Sequence, residues 1–230
     1  MMQKTSRAVL LVGSPKGPNS TSYSLGSYLV EKLKERGITI EEIYTSRCLN
    51  SEEKRANMLR LVDESDLVIL AFPLYVDSLH SQLIRALELI AEHERGKPGL
   101  NQKRVVAISN SGFPEATHND TALTICRLFA SEVGFTWAGG LAMGGGGMVH
   151  GAPLSEMGGQ VRNQVKALEI TADALAKGEP IPQEAIVLMS KLGFPRWMYT
   201  WMGNRSWKKE AREHNVAVKM CDQPFSRMVP

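Results

Sequence analysis

The chain has 230 residues, 43% of them hydrophobic and 22% charged, a composition that is typical of a folded globular protein and excludes extended disorder. No apolar stretch approaches the ~20 residues of a membrane-spanning helix, and the run at 8–12 is too short for a secretory signal, so we expect a cytoplasmic protein. The net charge is only +3, with +5 in residues 188–230 and −2 in residues 1–187, so no nucleic-acid partner is expected.

Strand and helix patterns alternate along the first three quarters of the chain. Apolar runs predict strands at 8–12, 38–44, 67–72, 105–109 and 135–143. Helical periodicity predicts helices at 25–36, 51–64, 79–94, 122–133 and 161–175. Parallel strands need crossovers, and helices usually supply them. We therefore predict an α/β fold: a five-stranded, doubly wound parallel sheet in three α/β/α layers.

A break follows the last predicted helix, where Gly178-Glu-Pro-Ile-Pro182 holds two prolines and a glycine. We place a domain boundary there, with a ligand-binding domain at 1–178 and a basic, helical or irregular extension at 179–230. The extension carries three of the four tryptophans: Trp197, Trp201 and Trp207. Its basic residues are not expected to gather on one face of a long helix, so packing within the chain or in a dimer is favoured over membrane contact.

The loop after the first strand, residues 13–22, has the composition of an anion site. It holds four hydroxyl side chains, one amide and a lysine, and it ends where a helix begins. Backbone N–H groups at a helix start, together with hydroxyls, bind phosphate, although Ser and Thr also serve as plain helix caps. The spacing fits neither a Walker loop nor a dinucleotide fingerprint. The candidate phosphate ligands are Ser14, Lys16, Asn19, Ser20, Thr21 and Ser22.

Two more loops follow the third and fourth strands. The first places an aromatic and two aliphatic side chains at a strand end, which suits a flat apolar ligand or packing on the next helix. The second is small and polar, with a glycine that permits close backbone approach. Carboxyl ends of neighbouring parallel strands meet at one sheet edge, so the loops predict one site. Its further candidates are Pro73, Leu74, Tyr75, Val76, Asp77, Asn110, Ser111, Gly112 and Phe113.

These loops carry a family resemblance. The motifs Gly13-Ser-Pro-Lys16 with Asn19-Ser-Thr-Ser22, Phe72-Pro-Leu-Tyr-Val-Asp-Ser78, and Asn110-Ser-Gly-Phe113 resemble the NADPH-dependent FMN reductase branch of the flavodoxin-like flavoproteins over residues 7–178. The resemblance implies non-covalent FMN, with its phosphate in the loop at 14–22 and its ring between the loops at 73–77 and 110–113. It also implies NADPH or NADH as co-substrate, and a homodimer or higher homo-oligomer in which a neighbouring subunit helps to cover the flavin.

The function expected from the resemblance is electron transfer from NAD(P)H through FMN to a small-molecule acceptor, such as a quinone, a nitro or azo compound, or free flavin. Backbone N–H groups of Val76, Ser111 and Gly112 are candidate donors to the ring. No side chain is needed as acid or base, and Tyr75, Phe113 and His150 are candidate substrate contacts. Two alternatives stay open: a flavodoxin-like electron carrier for a protein partner, and a module that has lost its cofactor.

Smaller patterns concern glycines, cysteines and histidines. Residues 139–159 hold nine of the 20 glycines and form either a mobile flap that carries His150 or a flexible connection. The three cysteines are widely spaced, which predicts reduced, structural residues; only Cys48 lies where related iron–sulfur proteins have a compact cysteine run, so no cluster is expected. No metal-ligand spacing is found, and the remaining histidines are read as surface or capping residues: His80, His93, His118 and His214. Replacing Ser20 and Ser22 with alanine is expected to weaken FMN binding without unfolding the protein.

Overall fold

The structure, a computed structural model, describes residues 4–97, 103–216 and 222. Its sheet has five parallel strands in the order β2-β1-β3-β4-β5. The strands are β1 (Arg7–Val12), β2 (Thr39–Tyr44), β3 (Leu67–Pro73), β4 (Arg104–Asn110) and β5 (Thr136–Met143). The helices are α1 (Thr21–Lys34), α2 (Thr45–Cys48), α3 (Glu52–Asp63), α4 (Ser81–Glu94), α5 (Asp120–Glu132), α6 (Arg162–Lys177), α7 (Gln183–Met189) and α8 (Arg196–Glu213). Short 3-10 turns lie at Gly17–Asn19, Ala116–Asn119, Gly146–Met148, Leu154–Glu156 and Gly158–Val161.

Two hydrophobic cores cover the two faces of the sheet. Alternate residues of β1 point to opposite faces: Leu10 and Val12 join the core formed with α1, α6 and α7, whereas Val9 and Leu11 join the core formed with α3, α4 and α5. A strand that is buried on both faces must be apolar at every position, and this explains the unbroken apolar run that predicted it. The prediction of a doubly wound, three-layer α/β fold is confirmed.

The strand order determines where a ligand can bind. The chain forms β2 on one side of β1 and then crosses to the other side to form β3, so the strand order reverses between β1 and β3. In open α/β sheets, a crevice forms beyond the carboxyl ends of the strands at such a reversal. Val12 aligns with Ala71, and Pro73 aligns with Asn110, so the ends of three strands are brought together.

The first compact unit continues to Gly193, beyond the boundary predicted at 178. Ile181 donates its backbone N–H to the Ala138 carbonyl of β5 at 2.7 Å, and Ala185 and Met189 are fully buried. Ala185 and Met189 of α7, with Ile181 just before the helix, form an apolar stripe that closes over β5 and α6. The proline-rich break turns the chain without ending the core.

The second unit comprises residues 194–230 and contains α8. This helix has 18 residues, and Arg205, Lys208 and Arg212 are spaced three and four apart along it. Such spacing puts these three on one face, while Arg196 and Lys209 of the same helix lie off it, so the basic residues gather on one face only in part. Within the described part of the chain, no helix combines the length and apolar character required to cross a bilayer.

Candidate functional site

A cleft of about 340 Å³ opens at the carboxyl edge of the sheet, at the strand reversal. It collects the loops after β1, β3 and β4 with the glycine-rich segment after β5. Its lining residues are Ser14, Lys16, Asn19, Ser20, Thr21, Ser22, Pro73, Leu74, Tyr75, Asn110, Ser111, Gly112, Gly146, Gly147 and His150. Twelve of the 15 residues predicted to hold a cofactor are therefore brought together. The other three, Val76, Asp77 and Phe113, lie outside the lining.

The start of α1 provides donors for an anion. No hydrogen bond among the described residues uses the backbone N–H of Thr21 or Ser22, the first two residues of this 14-residue helix. Unsatisfied N–H groups and the positive end of the helix dipole favour a bound anion there. Lys16 is exposed at the rim of the cleft, and within the described ranges it forms no ion pair. The geometry fits a phosphate group.

Part of the hydroxyl cluster in this loop is structural. Ser20 is the N-cap of α1: its Oγ accepts from the N–H of Tyr23 at 3.1 Å and donates to the carbonyl of Gly17 at 2.7 Å. Ser22 Oγ accepts from Asn110 Nδ2 at 2.8 Å. Removal of an N-cap hydroxyl costs about 1 kcal/mol. The Ser20 and Ser22 substitutions are thus expected to lower stability as well as affinity, and Lys16 is a cleaner probe of anion binding.

The loop after β3 is a tight reverse turn. Tyr75 and Ser78 exchange two backbone hydrogen bonds, at 2.9 and 3.0 Å, and the two residues between them have positive φ: 46° at Val76 and 60° at Asp77. Such a turn carries Val76 to its tip, where 97% of the residue is exposed, and so removes it from the cleft. A β-branched residue is strained at positive φ.

Tyr75 itself lines the cleft and is positioned by His80. Its ring lies edge-on to the His80 ring, with centroids 5.1 Å apart. His80 Nδ1 accepts from the N–H of Gln82 at 3.3 Å and so caps α4. The sequence-based interpretation of His80 as a capping residue is confirmed, and its additional contact with Tyr75 ties the aromatic wall of the cleft to a helix start.

Beneath the loop after β4 lies a buried polar network centred on Asn119, which the sequence analysis missed. Asn119 Oδ1 accepts from Ser109 Oγ at 2.7 Å, while its Nδ2 donates to the carbonyls of Ala116 and Met143 and to Ser111 Oγ. Ser111 also donates its backbone N–H to Met143 at 3.0 Å, so that N–H is already used and does not serve as the donor expected for a flavin ring. An asparagine just before a helix was the only sequence sign of this network.

Phe113 is held away from the cleft. Its ring lies tilted by 34° against the His118 ring, with centroids 4.3 Å apart, and 54% of Phe113 is exposed. His118 Nε2 in turn lies 3.9 Å from a Glu115 carboxylate oxygen. The loop thus presents Gly112 to the cleft and Phe113 to the surface beside it.

The glycine-rich segment forms a closely packed wall of the cleft. Thr21 Oγ1 donates to the Gly146 carbonyl at 2.8 Å. A Cβ atom at Gly144 would lie 2.4 Å from the Pro114 carbonyl oxygen, and one at Gly151 would lie 2.6 Å from the Asn19 carbonyl carbon. The glycines therefore permit close backbone approach, which favours a fixed wall over a mobile flap. His150 is exposed at the cleft with φ 48°.

The two cysteines within the described ranges are free and buried. Burial raises the pKa of Cys48 to about 11 and that of Cys126 to about 12. Because the thiolate is the reactive form, neither residue is a nucleophile near neutral pH. Their positions agree with a structural role; Cys221 lies outside the described residues.

One group of metal-ligand types occurs among the described residues, away from the cleft: Asp63, His93 and Glu94. The carboxylates of this group are already paired with lysine ammonium groups instead of a metal ion. Lys97 Nζ lies 3.1 Å from Asp63 Oδ1, and buried Lys103 Nζ lies 3.4 Å from both carboxylates. Burial alone would raise the pKa of Asp63, but hydrogen bonds from His93 and Lys97 outweigh it and keep this pKa below its ordinary value. The group is an ion-pair cluster that links α3, α4 and the start of β4.

Comparison with known proteins supports the architecture. An NADH:FMN oxidoreductase in its apo form has a TM-score of 0.58 and 20% sequence identity, and the match covers 84% of this chain and 98% of that chain. An FMN-dependent NADH-azoreductase from Bacillus anthracis in complex with FMN has a TM-score of 0.54 and 14% identity, with 74% of this chain and 99% of that chain covered. An NAD(P)H:quinone oxidoreductase from Methanothermobacter marburgensis has a TM-score of 0.54 and 13% identity, with 75% of this chain and 96% of that chain covered. At these identities the similarity shows the fold alone. No curated protein matches the chain.

The family comparison is more direct. A family model described as the flavodoxin-like fold matches residues 6–157, which is more than half of the chain. The match includes the loops after β1, β3 and β4 and most of the glycine-rich wall. The chain belongs to the flavodoxin-like fold family.

Proposed function

We propose that the chain is an FMN-dependent NAD(P)H oxidoreductase that delivers electrons to a small-molecule acceptor. The observation that carries the proposal is the convergence of three features in one cleft: N–H groups at the start of α1 that have no acceptor among the described residues, a Lys16 ammonium with no ion-pair partner among them, and the aromatic wall at Tyr75. This combination suits a ligand with an anionic end and a flat aromatic end. The similar structures include an FMN-dependent NADH-azoreductase, an NADH:FMN oxidoreductase and an NAD(P)H:quinone oxidoreductase, which supports the same assignment.

The residues present fit FMN. Its phosphate would be held by the N–H groups of Thr21 and Ser22 and by Lys16, and its ring would be held between the strand-end loops 73–75 and 110–112. The cleft volume of about 340 Å³ lies near the lower end of the range for small-molecule sites. A bound FMN would therefore keep part of its surface accessible to a second substrate.

Each wall of the cleft has a separate task. FMN, when bound, supplies the transfer of electrons between a nicotinamide and an acceptor. The start of α1 anchors the anionic end, Tyr75 offers an aromatic surface held by His80, and the glycine-rich wall excludes water from one side. His150 lies at the cleft as a candidate contact for substrate, whereas Phe113 lies beside it. We place the enzyme in the cytoplasm as a homo-oligomer that uses NADPH or NADH.

The proposal is tested by turnover. The purified chain is loaded with FMN, desalted, and assayed for NADH and NADPH oxidation at 340 nm, with and without a soluble quinone. We expect oxidation that depends on the acceptor and that falls in the Lys16→Glu variant as flavin is lost. If the flavin-loaded protein oxidises neither nucleotide with any of a quinone, an azo dye or free flavin, the oxidoreductase assignment is wrong, and the electron-carrier alternative is favoured.

A further inference from the structure

Helix α8 carries large apolar side chains in contact with solvent. Trp197 is 69% exposed, Trp201 57% and Met202 47%, and Ala211 is the one buried residue among those of the helix. An open space of about 750 Å³ adjoins Trp201 and the basic residues that follow it. Most of the stability of helices in proteins comes from packing of one face against other elements. Some partner surface is therefore expected to cover this helix.

The exposed face has an ordered composition. Trp197, Trp201, Arg205, Lys208 and Arg212 follow one another at spacings of four, four, three and four, which places them in one stripe along the helix. The stripe is aromatic in its first half and cationic in its second half. The acidic residues of the helix lie outside it, at Glu210 and Glu213.

The stripe is complementary to itself when reversed. Four of its five positions are symmetric about the midpoint between Asn204 and Arg205, so each tryptophan has a basic residue at the mirror position; the fifth, Arg205, lies beside the axis. We propose that α8 pairs antiparallel with α8 of a second copy of this chain across a two-fold axis. In that pairing Trp197 faces the partner's Arg212 and Trp201 faces the partner's Lys208, and each contact occurs twice.

The chemistry of the facing groups favours this pairing. A cation over an indole ring is attractive, and within the chain the Arg205 guanidinium already lies 5.8 Å from the centre of the Trp201 ring. Trp197 and Arg212 are about 22 Å apart along the helix at 1.5 Å per residue. Antiparallel pairing therefore holds the two cationic ends apart, whereas parallel pairing would place them together.

An anionic membrane fits this face less well. Helices that lie on membranes have a broad apolar face along their whole length, with the basic residues opposite. Here two tryptophans and three basic residues share one face and divide it lengthwise. A second copy satisfies both halves at once, without requiring the basic residues to lie at the depth of the tryptophans.

The proposal is tested by sedimentation of the full chain over a range of concentrations. Trp201→Lys places lysine against the partner's Lys208, and we expect it to weaken self-association at least about tenfold and to halve the mass of the assembly. Adding Lys208→Trp to that variant restores the aromatic–cation pairs with their members exchanged, and we expect wild-type self-association. Trp207→Ala, on the same helix but outside the stripe, serves as the matched control and is expected to change nothing.

The double variant also distinguishes a lost contact from misfolding, because it regains self-association only if the two positions face each other across the interface. Failure of the exchange to restore the mass, or equal weakening by Trp207→Ala, would overturn the proposal. So would a wild-type assembly that Trp201→Lys leaves unchanged. If wild-type protein sediments with phosphatidylcholine–phosphatidylglycerol vesicles, and Trp201→Lys abolishes this without changing the mass, the face binds membranes and the pairing is wrong.

Discussion

Replacement of Asn119 with alanine tests the polar network beneath the candidate site. This side chain is fully buried and connects β4, the turn before α5 and the end of β5. Its two short hydrogen bonds are 2.7 Å from Ser109 Oγ and 2.9 Å to the Ala116 carbonyl. Removal of the amide leaves the buried Ser109 hydroxyl without its partner, whereas the Ala116 carbonyl keeps the backbone hydrogen bond of its 3-10 turn. Two longer bonds, at 3.3 Å, reach Ser111 Oγ and the Met143 carbonyl.

The magnitude follows from these contacts. A buried polar group that loses its partner costs about 1–3 kcal/mol. Counting only the Ser109 hydroxyl, we expect Asn119→Ala to lower the free energy of unfolding by about 2 kcal/mol. For a protein of this size that corresponds to a fall in Tm of about 4–8 °C. Because Ser111 belongs to the cleft loop, FMN affinity should fall as well.

The assay is equilibrium urea unfolding of cofactor-free protein, followed by far-UV circular dichroism. The matched control is Asn57→Ala, since Asn57 is exposed on α3 and accepts one hydrogen bond from Arg60. We expect the control to change stability by no more than about 0.5 kcal/mol. A loss below about 1 kcal/mol for Asn119→Ala would show that the network is not stabilising and would refute the reasoning.

Three further substitutions test separate walls of the site. Lys16→Glu should raise the dissociation constant of FMN about tenfold or more, as measured by fluorescence titration. The same change at Lys54, which is exposed on α3, should leave that constant unchanged. Equal effects of the two substitutions would mean that general charge repulsion weakens binding. Gly151→Ala should cost about 2 kcal/mol more than Gly158→Ala in thermal unfolding, because both have positive φ but only the former Cβ meets backbone, at 2.6 Å; similar costs would contradict the packed wall. Val76→Gly should stabilise the protein by about 1 kcal/mol through relief of backbone strain, and a lower Tm would show that the valine is packed rather than strained.

Sequence patterns predicted the parts of this fold that local physics controls. The β1 and β3 runs were recognisable because strands buried on both faces must be apolar throughout, and Gly13 and Pro73 mark their ends. The helix α7 was not recognised, because its burial depends on a stripe that meets β5 only after the chain has turned at the proline-rich break. A pattern read along the chain does not show which distant surface it will cover.

In the site, too, some features follow from the local sequence and others depend on distant contacts. Loop order at one sheet edge follows from the parallel topology, and so the residues from Ser14 to Ser22 meet those near Tyr75 and Asn110. Whether a loop residue faces the cleft depends on its backbone dihedral angles. The positive φ that turns Val76 outward could not be predicted from the sequence, because the residue at that position is not a glycine. Asn119 was missed for a related reason: its partners come from separate elements and share no sequence spacing.

Visible absorption tests whether the cleft holds FMN and whether the bound flavin accepts electrons from a nicotinamide. The spectrum of the purified chain is recorded before and after FMN is added, and then after NADPH or NADH is added without oxygen. We predict a bound-flavin spectrum, shifted from that of free FMN, which bleaches on addition of one of the nucleotides. A spectrum that shows only free FMN at every concentration would contradict the account, and bound flavin that neither nucleotide bleaches would leave the cofactor site but refute the reductase.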